Sequence, residues 1–426
     1  MRLPAFALIC GAVLIAPVPA GAQLAGHGGP VRALAVATDG RTALSGSFDT
    51  SAIRWSLRRN AAEQVLRFHD GAVNAVAILA DGRDVTAGED GRIALWTPGR
   101  QQPDAVLEGH KGPIVSLAVA PDGSRLASAS WDGTIRVWPL GGGAPLVLES
   151  HQQNVNAVAF SSDGRKLVSA GYDATLRLWP LATPASPLIV TLPTPLNAVA
   201  VASDDIIAGG ADGKVYFLSQ DGERRAAVDA PGTPVTALAV SADGARIAAA
   251  SMGGTVALID RRSRSLVRRL AVSPLPVWAV AFLPDGRTLL TGGADRLIRR
   301  WNAETGQPIG VAAIGTPEDP LAAYAGDPGA QLFRACIACH TLKPDQGNRA
   351  GPTLYRVFGR RIATLPGYRF SPALQRLDIV WTPETLSKLL ELGPARYTPG
   401  TKMPEQRIGR SEDREALVKF LERATR

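Results

Sequence analysis

Cysteine, methionine and histidine are scarce in this chain, at 3, 3 and 5 of 426 residues. The N-terminus makes the scarcity sharper. Met1-Arg2, an apolar run from about Phe6 to Ala16 and a small-residue end at Ala20-Gly21-Ala22 have the layout of a cleaved export signal over residues 1–22. Cleavage before Gln23 removes Cys10 and leaves Cys336 and Cys339, so a disulfide-stapled scaffold is excluded. That holds even though an exported chain, expected in the periplasm, meets an oxidising compartment. Long apolar runs are missing too: the leader's run is shorter than the roughly 20 residues of a membrane-spanning helix, and no later run reaches that length. No integral membrane span is expected.

Acidic residues fall short at one end only. From residue 330 onward 17 Lys and Arg face 9 Asp and Glu, whereas residues 3–329 carry 28 against 29. The net charge of +8 therefore belongs to the last hundred residues. Those charges do not interleave with an aromatic platform, and an exported chain does not meet chromosomal DNA, so a nucleic-acid partner is not expected. The expectation is a positive face that steers toward an acidic partner protein.

What cysteine the mature chain keeps is concentrated in Cys336-Ile337-Ala338-Cys339-His340. Thiols at i and i+3 and an imidazole at i+4 share one face of a helix. That face can add both sulfurs to the vinyl groups of a haem while the histidine meets the iron, the usual reading of C-x-x-C-H. A zinc half-site would need more Cys or His ligands, and none occurs between 341 and 426. A redox dithiol would want a βαβ context, which this region lacks. One covalently attached haem c on Cys336 and Cys339 is therefore expected, with His340 on the iron. Met252 lies in a repeat region, but Met403 follows His340 by 63 residues in Tyr-Thr-Pro-Gly-Thr-Lys-Met-Pro. A thioether favours reduced iron, so His340 with Met403 reads as the closed ligand set of an electron carrier.

Residues 326–426 resemble a class I cytochrome c of the mitochondrial type. The resemblance rests on Gly351-Pro352-Thr353-Leu354, Phe358-Gly359-Arg360-Arg361, Pro366-Gly367-Tyr368, Ile379-Val380-Trp381, Thr382-Pro383-Glu384-Thr385-Leu386 and Pro399-Gly400-Thr401-Lys402-Met403. It implies that the Pro352 carbonyl meets the ring N–H of His340, and that Arg360 and Trp381 hold a haem propionate, with Thr401 a further partner. It also implies that the first and last helices cross to close the pocket. Those helices are expected from Ala330 to His340, and from a Ser411 cap onward with Leu417, Phe420 and Leu421 on one face. Phe370 and Leu390 depart from the family's pattern, which usually has tyrosines there.

Ahead of the haem motif a period near 41 residues runs through the chain, its units ending at Trp55, Trp96, Trp138, Trp179, Leu218, Ile259 and Trp301. Apolar alternation bounded by Asp39-Gly40, Asp81-Gly82, Asp122-Gly123, Asp163-Gly164, Asp243-Gly244 and Asp285-Gly286 is the pattern of hairpin-connected antiparallel strands. Residues 24–314 resemble the WD-repeat family, which implies an all-β propeller of seven blades. By that resemblance His27, His69, His110 and His151 bond Ser45, Thr86, Ser128 and Ser169, Asp49, Asp90, Asp132 and Asp173, and Trp55, Trp96, Trp138 and Trp179. Such networks are structural and not metal sites. Blades five to seven lack the histidine, and Gly253 replaces the turn aspartate in blade six. The last strand of blade seven is expected at 308–314, because the N-terminus left after cleavage looks too short to supply it.

The expected architecture is thus a multi-domain chain: signal peptide 1–22, all-β propeller 23–314, a Pro- and Gly-rich joint 315–329, and a small all-α cytochrome c domain 330–426. The function expected first is single-electron transfer by an exported c-type cytochrome whose propeller docks other proteins. The alternative is an oxidoreductase subunit with its active site in the propeller and the haem as electron outlet. Against it, there is no vicinal cysteine pair, His340 is the one histidine outside the repeat series, and Asp204-Asp205 is more simply a turn. A peroxidase would want a second haem motif. A haem-based sensor, in which Met403 leaves the iron, is a third reading.

Overall fold

The computed structural model describes residues 23–182, 185–230, 232–309, 321–334, 336–337, 340–344, 351–366, 368, 370–399, 401, 403 and 407–426. Residues 1–22, the expected leader, lie outside these residues, as do Cys339 and residues 315–320 of the joint.

Alternating apolar and polar residues give strands, and the Asp-Gly turns fold them back on themselves. Seven four-stranded antiparallel sheets result. Blade one is typical, running Val31–Val36, Thr42–Ser47, Ser51–Ser56 and Ala61–Arg67 from the ring's centre outward. The other blades span 73–107, 114–149, 155–191, 196–229, 235–271 and 277–302, the last with one strand from elsewhere. The Asp-Gly turns put glycine where φ is positive, for instance 67° at Gly40 and 70° at Gly123; blade five uses Ser203 at 51°. Every innermost strand carries an irregularity after its first residue, as between Val31 and Ala33 or Val277 and Ala279. A bulge there raises local twist, which a closed ring of blades needs. Apolar cores fill the spaces between blades; Leu176 and Leu178 of blade four meet Leu196 and Ile206 of blade five, all buried.

Ring closure corrects the expectation from sequence. Gln23–Ala25, the first residues after the leader, pair antiparallel with 297–299 as the outer strand of blade seven. Leu24 is 1% exposed and packs with Trp55 and Ile298. Three residues suffice, because Pro308 and Ile309 continue the same edge by bonding Trp301 and Arg300. The rest of the expected strand, 310–314, lies outside the described residues. The termini of the ring thus share one strand position and leave no open edge there.

The C-terminal part is built from α1 (Pro328–Phe333), α2 (Pro372–Gln375), α3 (Pro383–Leu392), α4 (Pro394–Tyr397) and α5 (Ser411–Ala424). The first helix differs from the expected 330–340. It starts earlier, because the Asp327 carboxylate accepts from the N–H groups of Gly329 and Ala330 at 2.8 and 3.2 Å and Pro328 suits the first turn. As a regular helix it ends at Phe333, although His340 N–H still reaches the Cys336 carbonyl at 2.9 Å. Ser411 is not the cap of α5 but its first residue; Arg410 holds the cap position and its guanidinium pairs with Glu412. Leu417, Phe420 and Leu421 are buried. The two helices cross at Gly329, where a Cβ would stand 2.2 Å from the Ala416 carbonyl oxygen. Only glycine allows that approach. Tyr324 and Phe333 close on Phe420 with ring centroids 5.1 and 5.6 Å apart.

This part packs on the propeller rather than hanging from it. Leu275 and Ala294 of blade seven share an apolar cluster with Leu321, Phe333 and Ile337. The Arg334 guanidinium donates to the Pro274 carbonyl at 3.2 Å.

Candidate functional site

The four repeat histidines are used up inside their blades. In blades one to four the histidine Nδ1 meets the turn aspartate at 2.9–3.1 Å and its Nε2 meets the Ser or Thr hydroxyl at 2.7–2.8 Å. The Trp indole donates to the same hydroxyl at 2.7–3.0 Å. The tryptophan is reached through that hydroxyl, not by the ring directly. Burial pushes the Asp90 carboxyl up, but bonds from His69 and Arg92 outweigh it and bring the group from 3.8 down to about 2. Asp49, Asp132 and Asp173 are held well below the ordinary range for the same reasons.

Blades five and seven refill the missing histidine from their third strand. The Tyr216 hydroxyl donates to Asp212 at 2.6 Å, and Arg299 pairs with Asp295 while Trp301 keeps its bond to Thr291 at 3.0 Å. In blade six the Gly253 N–H meets the Thr233 hydroxyl, and Ser251 and Thr255 bond each other through their hydroxyls and backbone. Asp204 sits in the expected turn, but Asp205 is 2% exposed and takes Arg225 and Arg261 at 2.9 and 2.7 Å. That cluster joins strands across blades five and six. Each of its charges is paired, so it offers no catalytic carboxylate.

The cleft in the C-terminal part is where the candidate residues converge. Cys336, His340, Pro352, Arg360, Trp381, Thr401 and Met403 all line it. Apolar walls come from Phe333, Leu354, Val357, Leu386, Leu390 and Leu417. Phe333, Leu354, Leu386, Leu390 and Leu417 also belong to one apolar cluster.

His340 is fixed from two sides. Its Nδ1–H donates to the Pro352 carbonyl at 2.7 Å, which leaves Nε2 with a lone pair and ties down the ring. Burial lowers its pKa, opposed by that hydrogen bond, so the imidazole is held in the ligand-competent neutral form. On the other side Gly351 has no side chain because there is no room for one: a Cβ would lie 2.5 Å from Cε1 and 2.9 Å from Nε2 of His340. Burial pushes the Cys336 thiol up to about 12, so without a thioether bond it stays protonated.

A short ladder places the opposite wall. Gly359 N–H bonds Trp381 C=O at 2.8 Å, Trp381 N–H bonds Arg360 C=O at 3.0 Å, and Ile362 N–H bonds Ile379 C=O at 2.8 Å. Arg360 and Trp381 therefore stand side by side. The Arg360 guanidinium also donates to the carbonyls of Thr353 and Tyr355 at 2.8 and 3.4 Å, which fixes the cation at the rim. The Thr401 hydroxyl accepts from the Met403 N–H at 3.1 Å, bracing the loop that brings the thioether in. Phe370 lies edge-on to Tyr368, 4.7 Å between centroids, and both line the cleft. Sequence reasoning missed Glu89, from the second turn of blade two, which also reaches the lining. No local signal marks it, since Glu89-Asp90-Gly91 reads as an ordinary turn.

The donor set fits a covalently held haem: two thiols' spacing, a tied imidazole with a free lone pair, a thioether, a fixed cation and apolar walls. Among the described residues no group of three or more His, Cys, Asp or Glu could hold a metal ion. No helix of the described residues is long and apolar enough to cross a membrane.

Comparison with known proteins divides the chain the same way. Segments 21–56, 61–97, 101–139, 144–180, 223–260 and 265–302 match the family described as WD domain, G-beta repeat. The unmatched interval, 181–222, holds the unit that ends in Leu218, where Ala208 replaces the serine and no histidine precedes. The C-terminal part is similar to cytochrome c. The cytochrome c of Cochliobolus lunatus is 41% identical over 99 residues, covering 23% of this chain and 91% of that protein. That of Arabidopsis thaliana is 41% identical over 99 residues, 23% and 88%. A cytochrome c homolog of Rickettsia felis is 37% identical over 110 residues, 26% and 62%.

Proposed function

The chain belongs to the WD domain, G-beta repeat family, and from that premise, with a C-terminal part homologous to cytochrome c, we propose that it is an exported electron carrier held on a protein-docking scaffold. In this reading the C-terminal part is a small all-α cytochrome c domain in which Cys336 and Cys339 would hold one covalent haem c and His340 and Met403 would bind its iron. The observation that carries it is the cleft itself, into which residues from 336 to 403 converge around one tied imidazole. When bound, the haem supplies a reversible one-electron couple.

The chain's own residues account for the rest. Pro352 holds the imidazole tautomer, and its pull on the Nδ1–H makes Nε2 a better donor. Met403 supplies a soft sulfur that favours the reduced state, and the Thr401 brace keeps it in place. Arg360 offers a fixed positive charge for a propionate. The apolar walls keep water out, so the environment reorganises little when one electron arrives or leaves. The excess of 17 basic over 9 acidic residues from 330 onward supports an acidic face on the redox partner, and the leader at 1–22 supports a periplasmic location. Use of the propeller for other proteins is supported by the family.

The test is a visible spectrum of the purified holoprotein in both redox states, with carbon monoxide added to the reduced form. A methionine-to-iron charge-transfer band and indifference to the gas are expected. Ready binding of carbon monoxide would favour a sensor or an enzyme. Met403→Ala is expected to lower the reduction potential and leave the propeller's thermal unfolding unchanged.

A further inference from the structure

We propose that the propeller closes one side of the cleft and so fixes where a redox partner exchanges electrons, at the rim of Arg361 and Val380. This rests on the electron-transfer reading and adds to it the side of approach. Blades seven, one and two are neighbours in the ring, and they meet the C-terminal part through one repeated position, the residue that follows the second strand. There Ala294, Phe48 and Glu89 each donate the backbone N–H to the carbonyl just ahead of their blade's innermost strand, that of Pro276, Pro30 and Ala72, at 2.9, 3.1 and 2.9 Å. The three residues therefore lie on one face of the ring. Ala294 belongs to the apolar cluster of the C-terminal part, and Glu89 lines the cleft. Between them Phe48 lies edge-on to Trp278, 6.5 Å between centroids, and Trp278 packs on the same cluster.

What these blades cover is the cysteine side. Phe333 lines the cleft from within, is 1% exposed and shares its cluster with Leu275 and Ala294, each 5% exposed. Arg334 bonds Pro274, and Cys336 follows in the same cluster. The wall next to the first cysteine thus has protein behind it rather than solvent. A different rim faces water. Arg361 lines the cleft, yet its side chain is 58% exposed, and its backbone bridges to Val380, which is 44% exposed. Residues 360–380 hold four Arg against one Asp, so the rim stays positive although Asp378 pairs with Arg361 at 3.3 Å. An exposed aliphatic side chain within net positive charge suits a partner protein whose apolar contact has an acidic border. Tunnelling falls off steeply with distance, so the open rim carries the exchange and the walled side does not.

The experiment uses the full-length holoprotein, reduced, with hexacyanoferrate(III) as oxidant. One electron passes from the protein to the reagent, and no bond forms or breaks. Arg361→Glu is expected to lower the second-order rate by about tenfold; Lys419→Glu, an equal charge change on α5 outside the cleft lining, should lower it by less than about twofold. Both effects should shrink at 1 M salt, where the screening length is about 3 Å. Ala294→Trp then releases the wall. The blade tolerates that bulk, since blade three holds Trp131 at the same position with the same backbone bond, 3.0 Å to the Pro113 carbonyl. Small-angle X-ray scattering, which needs no electron transfer, should show a larger radius of gyration for this variant. Its rate with hexacyanoferrate(III) should rise about threefold as the second side opens, and adding Arg361→Glu should then cost about threefold instead of tenfold. An unchanged radius for Ala294→Trp, a released C-terminal part with an unchanged rate, or equal losses for Arg361→Glu and Lys419→Glu would each overturn the proposal. A colourless protein would instead overturn the electron-transfer reading beneath it.

Discussion

The propeller and the C-terminal part keep their cores in opposite ways. In the propeller the apolar gaps between blades are filled by the blades themselves, and the His, Ser or Thr, Asp and Trp networks of blades one to four each close within their own repeat. In the C-terminal part the apolar side chains of α1, α3 and α5 ring a cleft, with His340 and Met403 turned into it. One region is complete as a polypeptide. The other lines a cleft with the residues proposed to hold a haem, and on that reading its folding and its haem binding are coupled.

The sharpest break in that comparison is to withhold the attachment. Cys336→Ser combined with Cys339→Ser should leave the cleft unfilled, and amide exchange in 321–426 should rise by orders of magnitude while the blades keep wild-type protection. Equal loss in both regions would show that the propeller leans on its neighbour. Next comes Gly351→Ala, whose methyl would displace the His340 ring. We expect a destabilisation of roughly 1–3 kcal/mol confined to the C-terminal part, with a loss of the low-spin spectrum. An unchanged spectrum would mean that the imidazole does not need this contact.

Within the propeller, His69→Ala removes the ring's bonds to Asp90 and to the Thr86 hydroxyl, which keep only Arg92 with nearby backbone N–H groups and Trp96 respectively, and should cost about 1–3 kcal/mol. Thr233→Val in blade six, where one N–H bond is at stake, should cost less. Local exchange should accordingly be fastest in blade six; slower exchange there than in blades one to four would contradict the comparison of networks. The smallest effect is acid sensitivity. The turn aspartates of blades one to four are depressed in the folded state, so their contribution is present above the ordinary carboxylate range and is lost as pH falls through the folded values, about 2 for Asp90. Fluorescence of Trp55, Trp96, Trp138 and Trp179 should change between about pH 4 and 2. A transition complete above pH 4 would assign acid unfolding to other groups.

Periodicity explains what the sequence discloses and what it hides. Seven blades and four His networks are legible because Trp, His, Ser or Thr and Asp recur at fixed offsets, and each network lies inside one unit. Ring closure by Gln23–Ala25 is not, because three residues carry no period and pair with Leu297, Ile298 and Arg299 at the far end of the ring's sequence. Tyr216 and Arg299 are missed for a related reason: they reach the turn aspartate from the third strand, two residues before the unit's end, a position whose residue type varies from unit to unit. The cleft residues are legible from the motifs around 336–340, 351–361 and 399–403. Arg360 is seen only in part, since its bonds to Thr353 and Tyr355 depend on how the loop closes. Glu89 belongs to a contact between domains, about which local patterns say nothing.

The central claim is that one haem is bound permanently by residues 336, 339 and 340. Denature the purified holoprotein, separate it on a gel and stain for haem peroxidase activity, with the Cys336→Ser, Cys339→Ser variant alongside. The account predicts colour that travels with the wild-type chain, one haem per chain by pyridine haemochrome, and none with the variant; colour that runs free of the chain, or a chain without colour, would contradict it.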